Sequence, residues 1–126
     1  MTGFINHAEA IHIAPKFISL VRLGDIVLFF DGEYLVCHRV IRKQTINGNT
    51  TLITKGDWMI DSDPPVTKQN FIGVVVAIER PYGLVDLMSR RWRLINLMVG
   101  CYMFIVHLAT RTFLSLLRRY LVGEVN

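Results

Sequence analysis

Residues 24–43 read GDIVLFFDGEYLVCHRVIRK, and this stretch decides the fold. It contains two apolar runs, residues 25–30 and residues 33–43, which are separated by the dipeptide Asp31-Gly32. Short runs rich in β-branched and aromatic residues are typical of strands. Glycine supplies the positive φ that a tight hairpin turn requires. The stretch therefore predicts two antiparallel strands joined by a turn.

Three further segments have the same strand-like character, namely residues 10–14, 50–54 and 71–79. The Asn-Gly-Asn sequence at 47–49 predicts a turn before the middle one of these three segments. Residues 56–65, which contain three aspartates and end in two prolines, are predicted to form a loop. Five strands at a spacing of roughly ten residues predict a mainly β, antiparallel domain.

Composition restricts the class of protein. The chain has 126 residues, of which 52% are hydrophobic and 19% are charged, so it is neither disordered nor large enough for several cores. Cys37 and Cys101 are the only cysteines, which excludes a disulfide scaffold. The sequence shows no cysteine and histidine spacing typical of a structural zinc site. We therefore predict neither a metal site nor a cofactor.

The net charge of +4 lies entirely in the last part of the chain. Residues 1–80 are neutral, whereas residues 81–126 contain six arginines and only two acidic residues, Asp86 and Glu124. A segment that is both basic and strongly apolar indicates contact with a membrane surface. A nucleic-acid partner is not expected, because no arginines are interleaved with exposed polar and stacking residues.

The periodicity becomes helical from about Val85 to Val122, and residues 90–119 are predicted to form one helix that contacts a membrane. Seventeen uncharged residues separate Arg93 from Arg111, which is the lower limit for crossing a bilayer. Polar and small residues follow a single stripe of this helix: Arg93, Asn96, Gly100, His107, Arg111, Ser115 and Arg118.

Three arrangements are compatible with this helical pattern. The helix could cross a bilayer, with arginine anchors at both ends, or lie in the interface with its polar stripe in the headgroups. Alternatively it could dock on the sheet, which would leave only the stripe of Arg93, Arg111 and Arg118 exposed. The predicted organisation is a β-domain in residues 1–82 followed by a helical, membrane-associated segment in residues 83–126.

His38 is the most suggestive residue for catalysis. It lies within a predicted strand, in the sequence His38-Arg39-Val40, and an aspartate-rich loop follows one strand later. A carboxylate that accepts a hydrogen bond from one ring nitrogen fixes the tautomer and leaves the other nitrogen to act as a base. Nucleophilic catalysis would also require a serine close to this histidine.

The order of the motifs resembles the type I signal peptidase family. GDIVLF is followed by CHRV, LITKGD, a D-x-x-PV-like loop and IGVVVAI. The similarity is greatest to the branch found in archaea, the endoplasmic reticulum and some bacteria, in which a histidine replaces the usual lysine base. It extends over roughly residues 3–80. The resemblance implies a signal-peptidase-type β-domain and a serine endopeptidase activity.

The resemblance also implies roles for individual residues. His38 would be the general base and Asp63 the carboxylate that orients it. Asp61 is the alternative carboxylate, because the loop can be aligned either way. Four further residues match structural positions of the family: Gly24, Asp25, Gly56 and Asp57.

The serine nucleophile of the family has no counterpart in this chain. In the family it belongs to an S-M-x-P box that lies eight residues before an earlier Gly-Asp pair, which corresponds here to Ala8-Glu9. Met1 then matches the methionine after the serine, and Gly3 stands in place of the proline. Ser19 lies only five residues before Gly24, with no methionine or proline behind it. Three serines lie outside any such context: Ser62, Ser89 and Ser115.

Two interpretations of the missing serine remain open. Either the natural start lies upstream of Met1, or the protein is a degenerate relative. The expected function is a serine endopeptidase that cleaves exported or membrane precursors after small residues, although the chain as written would lack activity. The alternative is a non-catalytic, membrane-associated module that binds peptides. A soluble self-cleaving repressor domain is less favoured, because no DNA-binding helices precede the strands.

Overall fold

A computed structural model of the chain describes residues 10–123 and shows a mainly antiparallel β-structure with one C-terminal helix, as predicted. A short 3₁₀ turn at Ile18–Leu20 joins the first two strands. The strands are β1 (Ala10–Ala14), β2 (Ile26–Phe30), β3 (Leu35–Ile46), β4 (Asn49–Lys55), β5 (Phe71–Arg80) and β6 (Gly83–Asp86), and the helix is α1 (Arg90–Gly123).

The strands form one sheet in the order β1-β5-β2-β3-β4, with β6 paired to β5. All pairings between neighbouring strands are antiparallel. Strand β3 lies between β2 and β4, with Val27 opposite His38 and Lys55 opposite Arg39. This register brings the histidine of the predicted site next to the end of β4, where the aspartate-rich loop begins.

The two predicted hairpin turns are present and follow from local chemistry. Asp31 begins the first turn, and its side-chain Oδ1 accepts hydrogen bonds of 2.8 Å from the backbone N–H groups of Glu33 and Tyr34. These two bonds lower the pKa of the Asp31 carboxyl. In the second turn Asn47 and Gly48 have φ values of 51° and 78°, which is the left-handed conformation that a type I′ turn requires.

The helix predicted over residues 90–119 is confirmed as part of α1, but the helical periodicity does not start at Val85, because Gly83–Asp86 forms β6. Val85 pairs with Ile78 of β5 and its side chain is buried, so this segment completes the sheet rather than beginning the helix. The helix begins only after Ser89, whose carbonyl accepts the Arg93 N–H at 2.9 Å. Part of the segment expected to be helical therefore belongs to the β-structure.

Buried side chains lie on both sides of the sheet. On the side to which His38 belongs, the buried cluster comprises Val21, Val27, Phe29, Val40, Leu52, Val66 and Val74. On the other side, which we call the helix side, it comprises Ile26, Val75, Ile78, Val85 and Leu87, with Trp92 of α1 packed against it. Successive residues of a strand point to opposite faces, so one strand supplies both clusters.

Helix α1 docks on the helix side of the sheet through its polar stripe. Asn96, Gly100 and Met103 are the buried residues of the helix. An added Cβ on Gly100 would lie 2.7 Å from the Cα of Gly24, so the two backbones are in close contact. The docking alternative expected only Arg93, Arg111 and Arg118 to stay exposed. These three arginines are exposed, but most of the apolar side of the helix is exposed as well, because Asn96 and Gly100 form the contact.

The apolar residues of α1 are left on the outside. Only 11% of its most apolar window is buried, and α1 is the one helix in residues 10–123 that is long and apolar enough to cross a membrane. The exposed large side chains include Leu94, Leu97, Met98, Tyr102, Ile105, Leu108, Phe113, Leu114, Leu116 and Leu121. We call these residues the outer face of α1.

Candidate catalytic site at His38

Strand β3 sends two neighbouring side chains to opposite sides of the sheet, and each meets a carboxylate from the same loop. His38 points to one side and contacts Asp63, whereas Arg39 points to the helix side and contacts Asp57. The loop of residues 56–65 connects the two carboxylates around the end of β4. His38 and Arg39 thus form separate polar contacts on the two sides of the sheet.

His38 and Asp63 form a short hydrogen bond of 2.6 Å between Nδ1 and Oδ2. The two side chains are half-buried, at 16% and 19% exposure, so the pair remains accessible. Thr54 supports the carboxylate in two ways. Its hydroxyl donates to Asp63 Oδ2 at 2.7 Å, and its carbonyl accepts the Asp63 N–H at 2.8 Å. The aspartate is therefore fixed by a side chain and a backbone group of β4.

This geometry leaves the Nε2 atom of His38 available for chemistry. The carboxylate accepts a hydrogen bond from Nδ1–H, which favours the tautomer with an unprotonated Nε2. Nε2 lies beside Gly56, where an added Cβ would be only 3.0 Å away. The edge of the ring faces Phe29, with the ring centroids 6.2 Å apart. An added Cβ would also lie 2.7 Å from Cγ of Met59, so a larger residue at position 56 would press on Met59 and on the candidate base.

The predicted contact between His38 and an aspartate is made with Asp63. Asp61, the alternative carboxylate, is exposed and interacts electrostatically with His107 of α1. The structure thus pairs His38 with Asp63 and not with Asp61. That His38 and Asp63 act in catalysis remains a prediction.

Arg39 has a structural role that could not be predicted from the sequence. It is 1% exposed, and its guanidinium donates to both carboxylate oxygens of Asp57 at 3.0 and 3.2 Å. The same group donates to the Gly24 carbonyl at 3.0 Å and to Asn96 Oδ1 at 2.9 Å. Arg39 thereby connects β3 with Gly24, Asp57 and helix α1. Asn96 was identifiable as a polar residue in an apolar helix, but its partner was not.

Cys37 of β3 and Asp25 of the turn before β2 are two further ionisable residues. Cys37 precedes His38 and therefore points to the helix side, and burial raises the pKa of its thiol. A thiol that stays protonated is a poor nucleophile. Burial also raises the pKa of Asp25, opposed by its hydrogen bond from the Arg22 N–H. Asp25 caps the turn before β2, in agreement with a structural role.

No serine of residues 10–123 forms a hydrogen bond with His38. Ser19 lies near the other end of β3, where its carbonyl accepts a hydrogen bond from Lys43. Ser62 lies beside α1, close to His107 on the helix side. The four positions on which the comparison with the S-M-x-P box depends, Met1, Gly3, Ala8 and Glu9, fall outside the described residues.

Replacing Thr54 tests how firmly the carboxylate is held. Thr54→Val keeps the shape of a fully buried side chain but removes the hydroxyl that donates to Asp63. We expect the free energy of unfolding to fall by roughly 1.5–3 kcal/mol, as for other hydrogen bonds to charged groups. Urea unfolding measures the change. Thr51→Val, on the same strand, is the control and should change stability by less than about 0.5 kcal/mol.

Comparisons of the chain with protein-family models, with curated proteins and with solved structures find no match. The assignment of the site therefore depends on the residues themselves. These are a histidine bonded to Asp63, whose carboxylate Thr54 fixes, with its Nε2 beside Gly56, on a sheet with an apolar helix on its other side.

Proposed function

We propose that this protein is a membrane-associated peptidase of the signal-peptidase kind, in which His38 is the general base. The observation that carries the proposal is the hydrogen bond of 2.6 Å between Asp63 and His38 Nδ1. It orients an accessible imidazole whose second nitrogen is open. The resemblance of the strand motifs to the signal peptidase family supports the same assignment.

The mechanism follows from this geometry. Nε2 of His38 would accept the proton of a serine hydroxyl as the oxygen attacks the carbonyl carbon of a peptide bond. It would then donate that proton to the leaving amine. Asp63 would stabilise the imidazolium that forms between the two steps. In the resemblance to the S-M-x-P box, the position of the serine falls one residue before Met1, and no residue of the printed sequence matches it.

Helix α1 supplies the membrane contact in this proposal. Its outer face exposes many large apolar side chains, and an exposed apolar patch of this kind is typical of a membrane or protein contact. The docked residues Asn96 and Gly100 contact the sheet, so lipid cannot surround the helix completely while it stays docked. We therefore favour a helix that lies in the interface, with the domain on one side and lipid on the other.

The second candidate function is a non-catalytic module that binds peptides at a membrane. The observation in its favour is that, within residues 10–123, no serine hydroxyl is bonded to His38. An extended peptide could still add to an edge of the sheet, because main-chain hydrogen bonds provide affinity without any catalytic group.

An N-terminal extension distinguishes the two candidates. The chain as written should not cleave a signal-peptide substrate, whereas an extension that puts a serine directly before Met1 should restore cleavage. The matched control carries alanine at that position. In the serine-containing chain, His38→Ala should reduce kcat by about 10⁶-fold, as the loss of the base does in other serine and histidine sites. A serine-containing chain that binds the peptide without cleaving it would support the binding module instead.

Liposome flotation tests the membrane contact. Ile105 lies on the outer face of α1 and is 64% exposed, so Ile105→Asp should not affect folding. We expect membrane affinity to fall at least about tenfold, because one buried aliphatic side chain contributes about 1.5–3 kcal/mol. Leu35, at the start of β3, has the same exposure, and Leu35→Asp is the control. Equal affinities for both variants and the unchanged chain would contradict the interfacial arrangement.

A further inference from the structure

A second polar site lies on the helix side of the sheet, opposite His38. It is a cavity of about 120 Å³ between α1 and strands β3 and β4. Its apolar lining includes Ile53 of β4, and its polar lining comprises Arg42, Ser62, His107 and Arg111. Two arginines, a histidine and a serine therefore line one cavity between the helix and the sheet.

Lys55 is the most informative residue beside this cavity. It lies two residues after Ile53 and therefore on the same face of β4. Its side chain is only 6% exposed, and it forms no hydrogen bond or ion pair with any residue of the described part of the chain. Lys55 also interacts electrostatically with His107. Its ammonium reaches the surface of the molecule, so an anion in the neighbouring cavity could approach it.

Carboxylates near the cavity do not balance these cations. Asp57 is bound to Arg39, with both of its oxygens used. Asp61 is exposed and is the acidic group that acts on His107, against the opposing effects of Lys55 and Arg111. The region thus keeps an excess of positive charge that the described residues do not neutralise.

We propose that this cavity binds a phosphate group. Its volume is several times the ~30 Å³ that a water molecule occupies in the liquid, so a tetrahedral anion fits. Guanidinium groups bind phosphate oxygens in a bidentate manner, and Lys55 adds a point charge from beside the cavity. The phosphate could belong to the headgroup of an anionic lipid, since the outer face of α1 adjoins the cavity, or could be free inorganic phosphate.

Titration calorimetry with inorganic phosphate tests the site in the full chain. Arg111→Gln should weaken binding about tenfold or more, which is the effect of losing one charged hydrogen bond. Arg111 is exposed, so this variant should fold, and Lys55→Gln should weaken binding as well. Arg91→Gln, an equal loss of charge at the start of the same helix, should have little effect. If Arg111→Gln, Lys55→Gln and Arg91→Gln weaken binding equally, or if no phosphate binds, the cavity is not a site for free phosphate.

Vesicles distinguish the two sources of phosphate. We compare vesicles of phosphatidylcholine alone with vesicles that also contain phosphatidylglycerol. A preference for phosphatidylglycerol that Arg111→Gln removes and Arg91→Gln keeps assigns the site to lipid headgroups. Phosphate binding without that preference assigns the site to the free anion. The absence of both phosphate binding and the lipid preference would overturn the proposal. Because His38 lies on the opposite side of the sheet, cleavage by the serine-containing chain is independent of each outcome.

Discussion

Arg39→Met should lower the free energy of unfolding by roughly 3–5 kcal/mol, which is the range for breaking one side of a buried ion pair. The substitution keeps an unbranched chain of similar length but removes the guanidinium. Asp57 would lose its partner at 3.0 Å, and Asn96 would lose the donor that holds the helix. Because these groups lie between the sheet and α1, water cannot fully replace the lost hydrogen bonds.

Chemical denaturation followed by tryptophan fluorescence measures this loss. Arg42→Met is the matched control, since Arg42 lies on the same strand but is exposed. It should change stability by less than about 0.5 kcal/mol. If both variants have the same stability as the unchanged chain, then Arg39 does not hold the helix against the sheet. An Asp57→Asn variant should be destabilised as well, because the same ion pair is broken from the other side.

Gly24→Ala is expected to separate α1 from the sheet. A Cβ at this position would lie 2.2 Å from the Asn96 carbonyl oxygen and 2.9 Å from the Leu97 Cα, and both are backbone atoms that cannot rotate away. Gly24 also has a φ of +90°, which an L-residue adopts with strain. The helix must therefore shift or leave. We expect destabilisation above roughly 3 kcal/mol, the range for severe overpacking combined with strain.

Gly48→Ala separates the two causes of this effect. Gly48 has a similar φ of +78°, but an added Cβ there would have no neighbour within 4 Å. This control should therefore show only the backbone strain, of order 1–2 kcal/mol. Limited proteolysis of α1 provides a second measurement, since an undocked helix is cleaved faster than a docked one. Equal destabilisation in the two variants would contradict a close contact between Gly24 and the helix.

The orientation of α1 changes the interpretation of its sequence. An amphipathic helix in a globular protein normally buries its apolar side. Here the contact uses Asn96 and Gly100, because Arg39 donates a hydrogen bond to Asn96 and Gly24 has no side chain that would keep the two backbones apart. The outer face therefore stays free for lipid or another apolar partner. The helical periodicity was sufficient to predict the helix, but not which side of it the sheet would cover.

Patterns within a few residues were sufficient to predict the elements whose cause is local. The turns at Asp31-Gly32 and Asn47-Gly48, the strands between them and the long helix all follow from patterns within a few residues. His38 could be selected for the same reason, since a histidine in an apolar strand before an aspartate-rich loop is visible in the sequence. Tertiary structure was not needed for any of these predictions.

Only the tertiary structure decided which distant groups meet. It selected Asp63 over Asp61 for His38, joined Arg39 to Asn96 across 57 positions of the chain, and drew Gly83–Asp86 into the sheet. Each of these contacts depends on the register of β3 with its neighbours and on the path of the loop around β4. A shift of one residue would turn His38 to the helix side, so the site exists only once that register is fixed.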